Sequence, residues 1–284
     1  MLLKIQGGES LRSYLERNLY LCRDDPEVKE FKNISKFYMR QGTVEMIASA
    51  LDWDGDSGIT RLLQNHTNYP IDNIFCNIND LERCKLERFR SLNSLETGER
   101  RAQYCPRCVE DDLEKLGFSY WRRSNRFLKV CAKHNVLLSS ECHCGQELYS
   151  HHNYGYSTMW GDCKGRLLNQ CEALLNENVG ELKKSLLYEE ILSSNLYICD
   201  ETAVKMLCAK ISCIFAKELV YQEGIQQLLL KLECIAKALD NYSLERRYEL
   251  SHHDARWMFD AILLSYDSFG KFTDDVQPYV KVAY

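Results

Sequence analysis

Two short ligand pairs constrain this chain more than anything else in it. Cys105 and Cys108 stand in the stretch YCPRC, and Cys131 and His134 in VCAKHN, giving the spacing C-x2-C-x22-C-x2-H. A two-residue gap lets a tight knuckle turn aim both side chains at one point, while N–H groups of the turn offset thiolate charge. Three thiolates and a neutral imidazole complete a tetrahedron around Zn2+ and leave no position for a substrate water. The expectation is a structural zinc site that stabilises a module and catalyses nothing.

A second cluster follows at once: Cys142 and Cys144 with Gly145, then Cys163. The C-x-C-G turn can form another knuckle, but the returning pair is half present in WGDCKG, so a second Zn2+ needs a fourth ligand from His151, His152, Asp162 or Cys171. The alternative is a degenerate site whose fold survives by packing around Trp160. Fourteen cysteines in a small secreted chain would suggest disulfides; in a reducing compartment, paired spacings point to metal. The N-terminus MLLKIQGGESLRSYLE fits neither a signal nor a transit peptide, and no run of about 18 apolar residues occurs, so a cytoplasmic, non-membrane protein is expected. Cys22, Cys76, Cys84, Cys199, Cys208, Cys213 and Cys234 sit apart and read as small buried hydrophobes.

The periodicities on either side are helical. Residues 1–97 carry Leu11, Leu15 and Leu19 on one face, then Val44, Ile47, Ala48 and Leu51, then Ile59, Leu62 and Leu63 after the breaker DWDGDSG. Helix, glycine-containing turn and helix, with Ser57, Thr60 and Arg61 near the second start, is compatible with a helix-turn-helix and equally with a plain α-helical hairpin. Residues 98–170 lose this periodicity and form the zinc-binding module. Residues 171–284 regain it: Val204, Leu207, Cys208, Ile211, Phe215 and Leu219 make one stripe, and Ile225, Leu228, Leu229, Leu232, Ile235 and Leu239 another. Ser251 and Asp254 have the form of a capping box opening a last helix through Trp257, Phe259, Ile262 and Leu263, and the tail FTDDVQPYVKVAY reads as extended or disordered. The expected fold is therefore mainly α, with a helical N-terminal domain of helix-turn-helix type, a central knuckle or ribbon module and a helical C-terminal domain.

Charge is unevenly spread. The net charge is −5, yet Glu99 to His134 holds nine Lys/Arg against five Asp/Glu, so nucleic-acid contact, if any, is local and the acidic remainder suits proteins. Between the first two pairs, Phe118, Tyr120, Trp121 and Phe127 are expected to pack against the metal site, and Arg122, Arg123, Arg126 and Lys129 to face outward. Such interleaving suits phosphate contact and stacking, and equally a solvated basic edge. Asp111 and Asp112 read as a solvated helix face. The deaminase pattern H-x-E with P-C-x-x-C does not fit, since Pro106 lies inside the pair and no H-x-E precedes it; there is no phosphate loop and no H-E-x-x-H. An enzyme is not expected.

The run from Cys105 to Gly145, CPRCVEDDLEKLGFSYWRRSNRFLKVCAKHNVLLSSECHCG, resembles the TniQ/TnsD family of transposition target-selection proteins, whose members pair CPxC with CxxH around a tryptophan-containing segment and continue to C-x-CG. GESLRSYLERNL, residues 8–19, is similar to the family's opening helix, with Glu9, Ser10, Leu11, Ser13 and Arg17 in the familiar places. The likeness covers roughly residues 8–165. It implies structural zinc on Cys105, Cys108, Cys131 and His134, and a second zinc where Cys142, Cys144 and Cys163 fall, with the departure that Gly161 stands where a cysteine is expected. It further implies a non-enzymatic adaptor that recruits an AAA+ regulator and transposase, either by reading DNA directly as TnsD-type members do, or by docking on a guide-RNA-bound, Cascade-type CRISPR effector complex at its target DNA. The short acidic chain favours the CRISPR-associated type, which acts as a homodimer; a general zinc-containing regulatory protein is the reading outside the family.

Overall fold

The computed structural model describes residues 3–22, 38–77, 95–96, 102–123, 127–148, 158–217, 223–241, 252–277 and 280–282. They are mainly helical, as the periodicities require. The helices are α1 (Leu11–Leu21), α2 (Gln41–Ala50), α3 (Gly55–His66), α4 (Tyr69–Asn73), α5 (Pro106–Leu116), α6 (Val179–Ser194), α7 (Asp200–Lys217), α8 (Glu223–Asn241), α9 (His252–Ser265) and α10 (Phe269–Val276). Short strands are β1 (Tyr38–Met39), β2 (Phe75–Cys76), β3 (Leu95–Glu96), β4 (Leu196–Cys199) and β5 (Val280–Val282). No described helix is long and apolar enough to cross a membrane.

The chain divides into two compact units, Met1–Tyr69 with Phe89–Leu186, and Pro70–Arg88 with Leu187–Tyr284. The N-terminal helices and the cysteine-rich segment, expected as separate segments, thus share the first unit. The reason lies in buried polar chemistry around α1. Ser10 caps the helix, its Oγ accepting from the Ser13 N–H at 3.1 Å. Glu9, fully buried, receives Arg17 Nε at 2.9 Å and Arg17 Nη2 at 2.8 Å, with further donors from Ser13 Oγ and the Gln6 N–H. The same turn grips the cysteine-rich segment: Ser10 N–H donates to the Trp121 carbonyl, Trp121 N–H to Ser13 Oγ, and Arg123 N–H to the Gly8 carbonyl. Besides the expected helix, residues 8–19 build a buried ion pair with every oxygen of Glu9 occupied. Removing either partner would strand the other charge, a loss of about 3–5 kcal/mol.

In the helical hairpin α2–α3, Val44, Ile47, Ala48, Ile59, Leu62 and Leu63 are buried as expected. Gly58 is dictated by sterics: a Cβ there would lie 1.7 Å from the Trp53 carbonyl oxygen, so only glycine allows α3 to pack against the turn. β1 and β3 pair antiparallel in this unit.

The second unit packs helices on a three-stranded sheet of order β2-β4-β5, in which β2 runs parallel to β4 and β5 antiparallel. Val204, Leu207 and Ile211 of α7 and Ile225, Leu228, Leu232 and Ile235 of α8 are buried, matching the two stripes up to Leu219, which lies outside the described residues. Ser251 and the side chain of Asp254, the expected capping box, also lie outside them. The tail departs from expectation in its first part, which is helical, and meets it at Val280–Val282, which is extended. α9 is followed by α10, capped by Ser268 Oγ accepting from the Lys271 N–H, and by β5. Phe269, Phe272 and Val276 recur at helical spacing and are buried, the Phe272 ring lying 5.4 Å from Tyr266, 5.9 Å from Phe269 and 6.5 Å from Phe75 between centroids. Among the isolated cysteines, Cys76 and Cys199 are buried side by side on β2 and β4 as small hydrophobes, whereas Cys213 and Cys234 are exposed and Cys84 is outside the described residues. The exposed pair corrects the expectation of burial, because the stripes of α7 and α8 need only one face of each helix.

Candidate metal centre

The first cluster is assembled by two local devices. Pro106 occupies the first turn of α5 and Cys105 is its N-cap, with Sγ accepting from the Cys108 N–H at 3.4 Å. A thiolate at that place faces the positive end of the helix dipole. The helix stops at Gly117, whose left-handed φ of 77° lets its N–H reach the Leu113 carbonyl. The second knuckle is closed by Asn135 N–H donating to the Cys131 carbonyl and Cys131 N–H to that of Val136.

Together these turns bring the ligand atoms of Cys105, Cys108, Cys131 and His134 within 4.8 Å of one another. His134 Nδ1 stands 3.4 Å from the sulfurs of Cys105 and Cys108 and 3.7 Å from that of Cys131, and the Cys108 and Cys131 sulfurs are 3.7 Å apart. Tetrahedral Zn2+ with Zn–S near 2.3 Å and Zn–N near 2.0–2.1 Å has edges of about 3.8 Å between sulfurs and about 3.5 Å from sulfur to nitrogen. The set fits a closed, four-ligand shell. Its far side is organised too: His134 Nε2 lies 3.2 Å from Asp111 Oδ2, and Lys133 pairs with the same carboxylate. A carboxylate behind a ligating imidazole selects the tautomer that presents Nδ1. The thiols themselves show the strain of a shared site. Hydrogen bonds from Cys105 and Cys108 hold Cys131 far below the ordinary thiol range, while the same contacts push Cys108 up, since one proton-free sulfur among three excludes the others until a cation neutralises them.

The second cluster holds Cys142, Cys144 and Cys163 within 4.8 Å. No fourth ligand joins them among the described residues: Asp162 and Cys171 do not enter the group, and His151 and His152 lie outside the described residues. His143 turns its Nδ1 to Cys142 Sγ at 3.5 Å and its Nε2 to the Cys163 carbonyl. Cys142 and Cys163 are embedded with Ala102, Tyr104, Val109, Trp121, Leu148, Met159 and Leu168, and the expected Trp160 packs against this cluster, partly buried. Burial pushes Cys142 up to about 11, whereas the Gln146 N–H lowers Cys144.

The basic segment behaves differently from its expected outward face. Arg122 forms a two-pronged pair with Asp112 at 2.6 and 2.7 Å, and Asp112 is buried, not solvated. Arg123 Nη1 donates to the Gln64 carbonyl at 2.7 Å, neutralising the C-terminal end of α3. Lys129 is outward, 3.5 Å from Glu181, and Arg126 lies outside the described residues. Phe118 receives Arg17 over its ring at 5.0 Å, so that aromatic packs against α1 instead of the metal ligands. The residues that spacing could not reveal are Asp111 and Asp112. Adjacent in sequence, one backs the metal histidine and the other anchors Arg122.

A helical chain whose middle gathers a closed Cys3His donor set has the arrangement of a structural metal site. Residues 1–138, just under half of the chain, match the protein-family model described as TniQ. Proteins of that family are non-catalytic regulators of transposition that act in target selection. No curated protein matches the chain at a significant level.

Proposed function

We propose that this protein is a zinc-stabilised adaptor in DNA transposition, which links a guide-RNA-bound, Cascade-type CRISPR effector complex on its target DNA to an AAA+ regulator and through it to the transposase. Cys105, Cys108, Cys131 and His134 hold one Zn2+, and Cys142, Cys144 and Cys163 contribute to a second. The metal performs no reaction; it sets the shape of a docking surface, and the chain acts as a homodimer in the cytoplasm. The three segments 1–97, 98–170 and 171–284 divide this work between partner docking, metal-held framework and helical support.

What favours the adaptor over direct DNA reading is the use of charge. Arg122 and Arg123 are committed to internal partners, and the turn into α3 with its first residues, which a helix-turn-helix would present to DNA, carries exposed Asp52, Asp54 and Asp56. Three carboxylates there oppose a phosphate backbone. An effector complex supplies sequence recognition by base pairing, so its adaptor needs protein-binding faces and no basic groove.

Co-expression with a guide-RNA effector complex tests the reading. The expected outcome is co-elution on size exclusion, with weak DNA binding by the protein alone. Tight, steeply salt-dependent gel shifts without any partner would overturn it in favour of a DNA-reading selector.

A further inference from the structure

A cavity of about 640 Å3 opens in the first unit, well away in sequence from the metal ligands, between the segment Leu3–Gly8 and the hairpin α2–α3. Its size falls in the range of ligand sites. Three of its features are built for recognition. Arg61 sits over the Trp53 ring, its guanidinium carbon 3.9 Å from the centroid, and this contact holds the side chain so that less freedom is lost on binding. Trp53 is itself held: Asp52 before it takes a left-handed φ of 57°, the Trp53 N–H donates to the Ala48 carbonyl, and Gly58 packs against the Trp53 backbone.

The second feature is His66, 4% exposed. Its Nδ1 meets the Glu9 carbonyl at 2.7 Å, and because a carbonyl only accepts, the proton is on Nδ1 and Nε2 is an acceptor. Burial pushes the ring down to about 4, so it stays neutral. Among the described residues, Nε2 has no partner, and His66 lines the cavity. The third is the wall. Lys4 turns its carbonyl inward to Arg17 and Gln6 its N–H to Glu9, while the N–H and C=O of Ile5 between them take no partner among the described residues, in the manner of a sheet edge.

Each feature narrows the occupant. Arg61 and Lys4 ask for an anion, His66 Nε2 asks for a hydrogen-bond donor, and Ile5 asks for an extended backbone. A phosphodiester carries no proton to donate, and exposed Asp52, which itself lines the cavity, with Asp54 and Asp56 beside it repels a polyanion and confines the occupant's negative charge to a single carboxylate near Arg61 and Lys4. We propose that this cavity docks an extended, acidic peptide segment of a partner protein, with a carboxylate on Arg61 and Lys4, a backbone N–H on His66 Nε2 and a strand-like pairing along Ile5. The site does not depend on which transposition component carries the segment.

A random 12-residue peptide library displayed on phage, selected on the full chain and counter-selected on Arg61→Glu, tests this directly. Enriched inserts should contain Asp or Glu, and the corresponding synthetic peptides should bind about tenfold or more weakly to R61E and to Lys4→Glu, with metal content and circular dichroism unchanged. Arg61 is exposed, so the variant keeps its fold; His66→Gln gives a second reading at the buried acceptor. Absence of any clone that separates wild type from R61E, or enrichment of inserts without acidic residues, would overturn the proposal. So would a 12-nucleotide single-stranded DNA that binds wild type and not R61E while no peptide does.

Discussion

The two cysteine clusters are built from the same kind of turn and reach different degrees of completion. The first gathers four ligands on two complete knuckles, backs its histidine with Asp111 and starts a helix at Cys105. The second gathers three ligands, lacks a cysteine at Gly161 and leans on an apolar cluster that includes Trp121. A site closed by its own ligands can dominate the folding of its module, because a structural Zn2+ contributes on the order of 10 kcal/mol or more. A site short of one ligand shares that task with packing. The difference teaches that ligand count, and not cysteine count, decides which part of the chain the metal controls.

The largest expected effect follows from breaking one ligand in each cluster. Cys108→Ser should abolish metal at the first site and unfold the first unit, seen as loss of helical circular dichroism and rapid proteolysis. Cys163→Ser should leave most helical signal intact, and equal collapse of both variants would erase the contrast. Next in size is Asp111→Asn, which removes the carboxylate behind His134 and should lower first-site zinc affinity by about 10–100-fold in chelator competition, with little change in second-site retention. In the opposite direction, Gly161→Cys supplies the missing ligand. Elemental analysis should then show the second site retaining metal through a chelator step that strips the parent chain.

The smallest effect is on acid release. Metal binding displaces thiol protons, so affinity falls as pH falls. Cys108 of the first cluster and Cys142 of the second are both pushed up, so ligand count decides the order: the second cluster, one ligand short, should lose metal at a higher pH than the first. Tracking Co2+-thiolate absorbance during acidification reads both midpoints, and coincident midpoints would remove the distinction.

The first cluster was legible because a knuckle is a local object: two residues of spacing define the turn, and two turns define the ligands. The helical stripes of α2, α3, α7 and α8 were legible for the same reason, since burial repeats with the helix period. Arg122 and Arg123 were not. An arginine beside aromatics looks alike whether it faces solvent or, as here, folds back on Asp112 ten residues earlier or on the Gln64 carbonyl far upstream. The tail was legible only in its last part: Val280–Val282 is extended as expected, while Phe269, Phe272 and Val276 carry enough burial to make a helix before it.

By itself, then, the order of residues determined which side chains can share a metal and which faces of each helix avoid water, because both depend on distances of a turn or less along the chain. Tertiary structure alone decided that Ser10 and Ser13 tie the start of α1 to Trp121 beside the buried Glu9–Arg17 pair, that adjacent Asp111 and Asp112 serve different partners, and that His66 keeps an acceptor facing a cavity. Those outcomes hinge on groups that meet only after the chain has folded back, where a buried charge or dipole must find its partner or cost several kcal/mol.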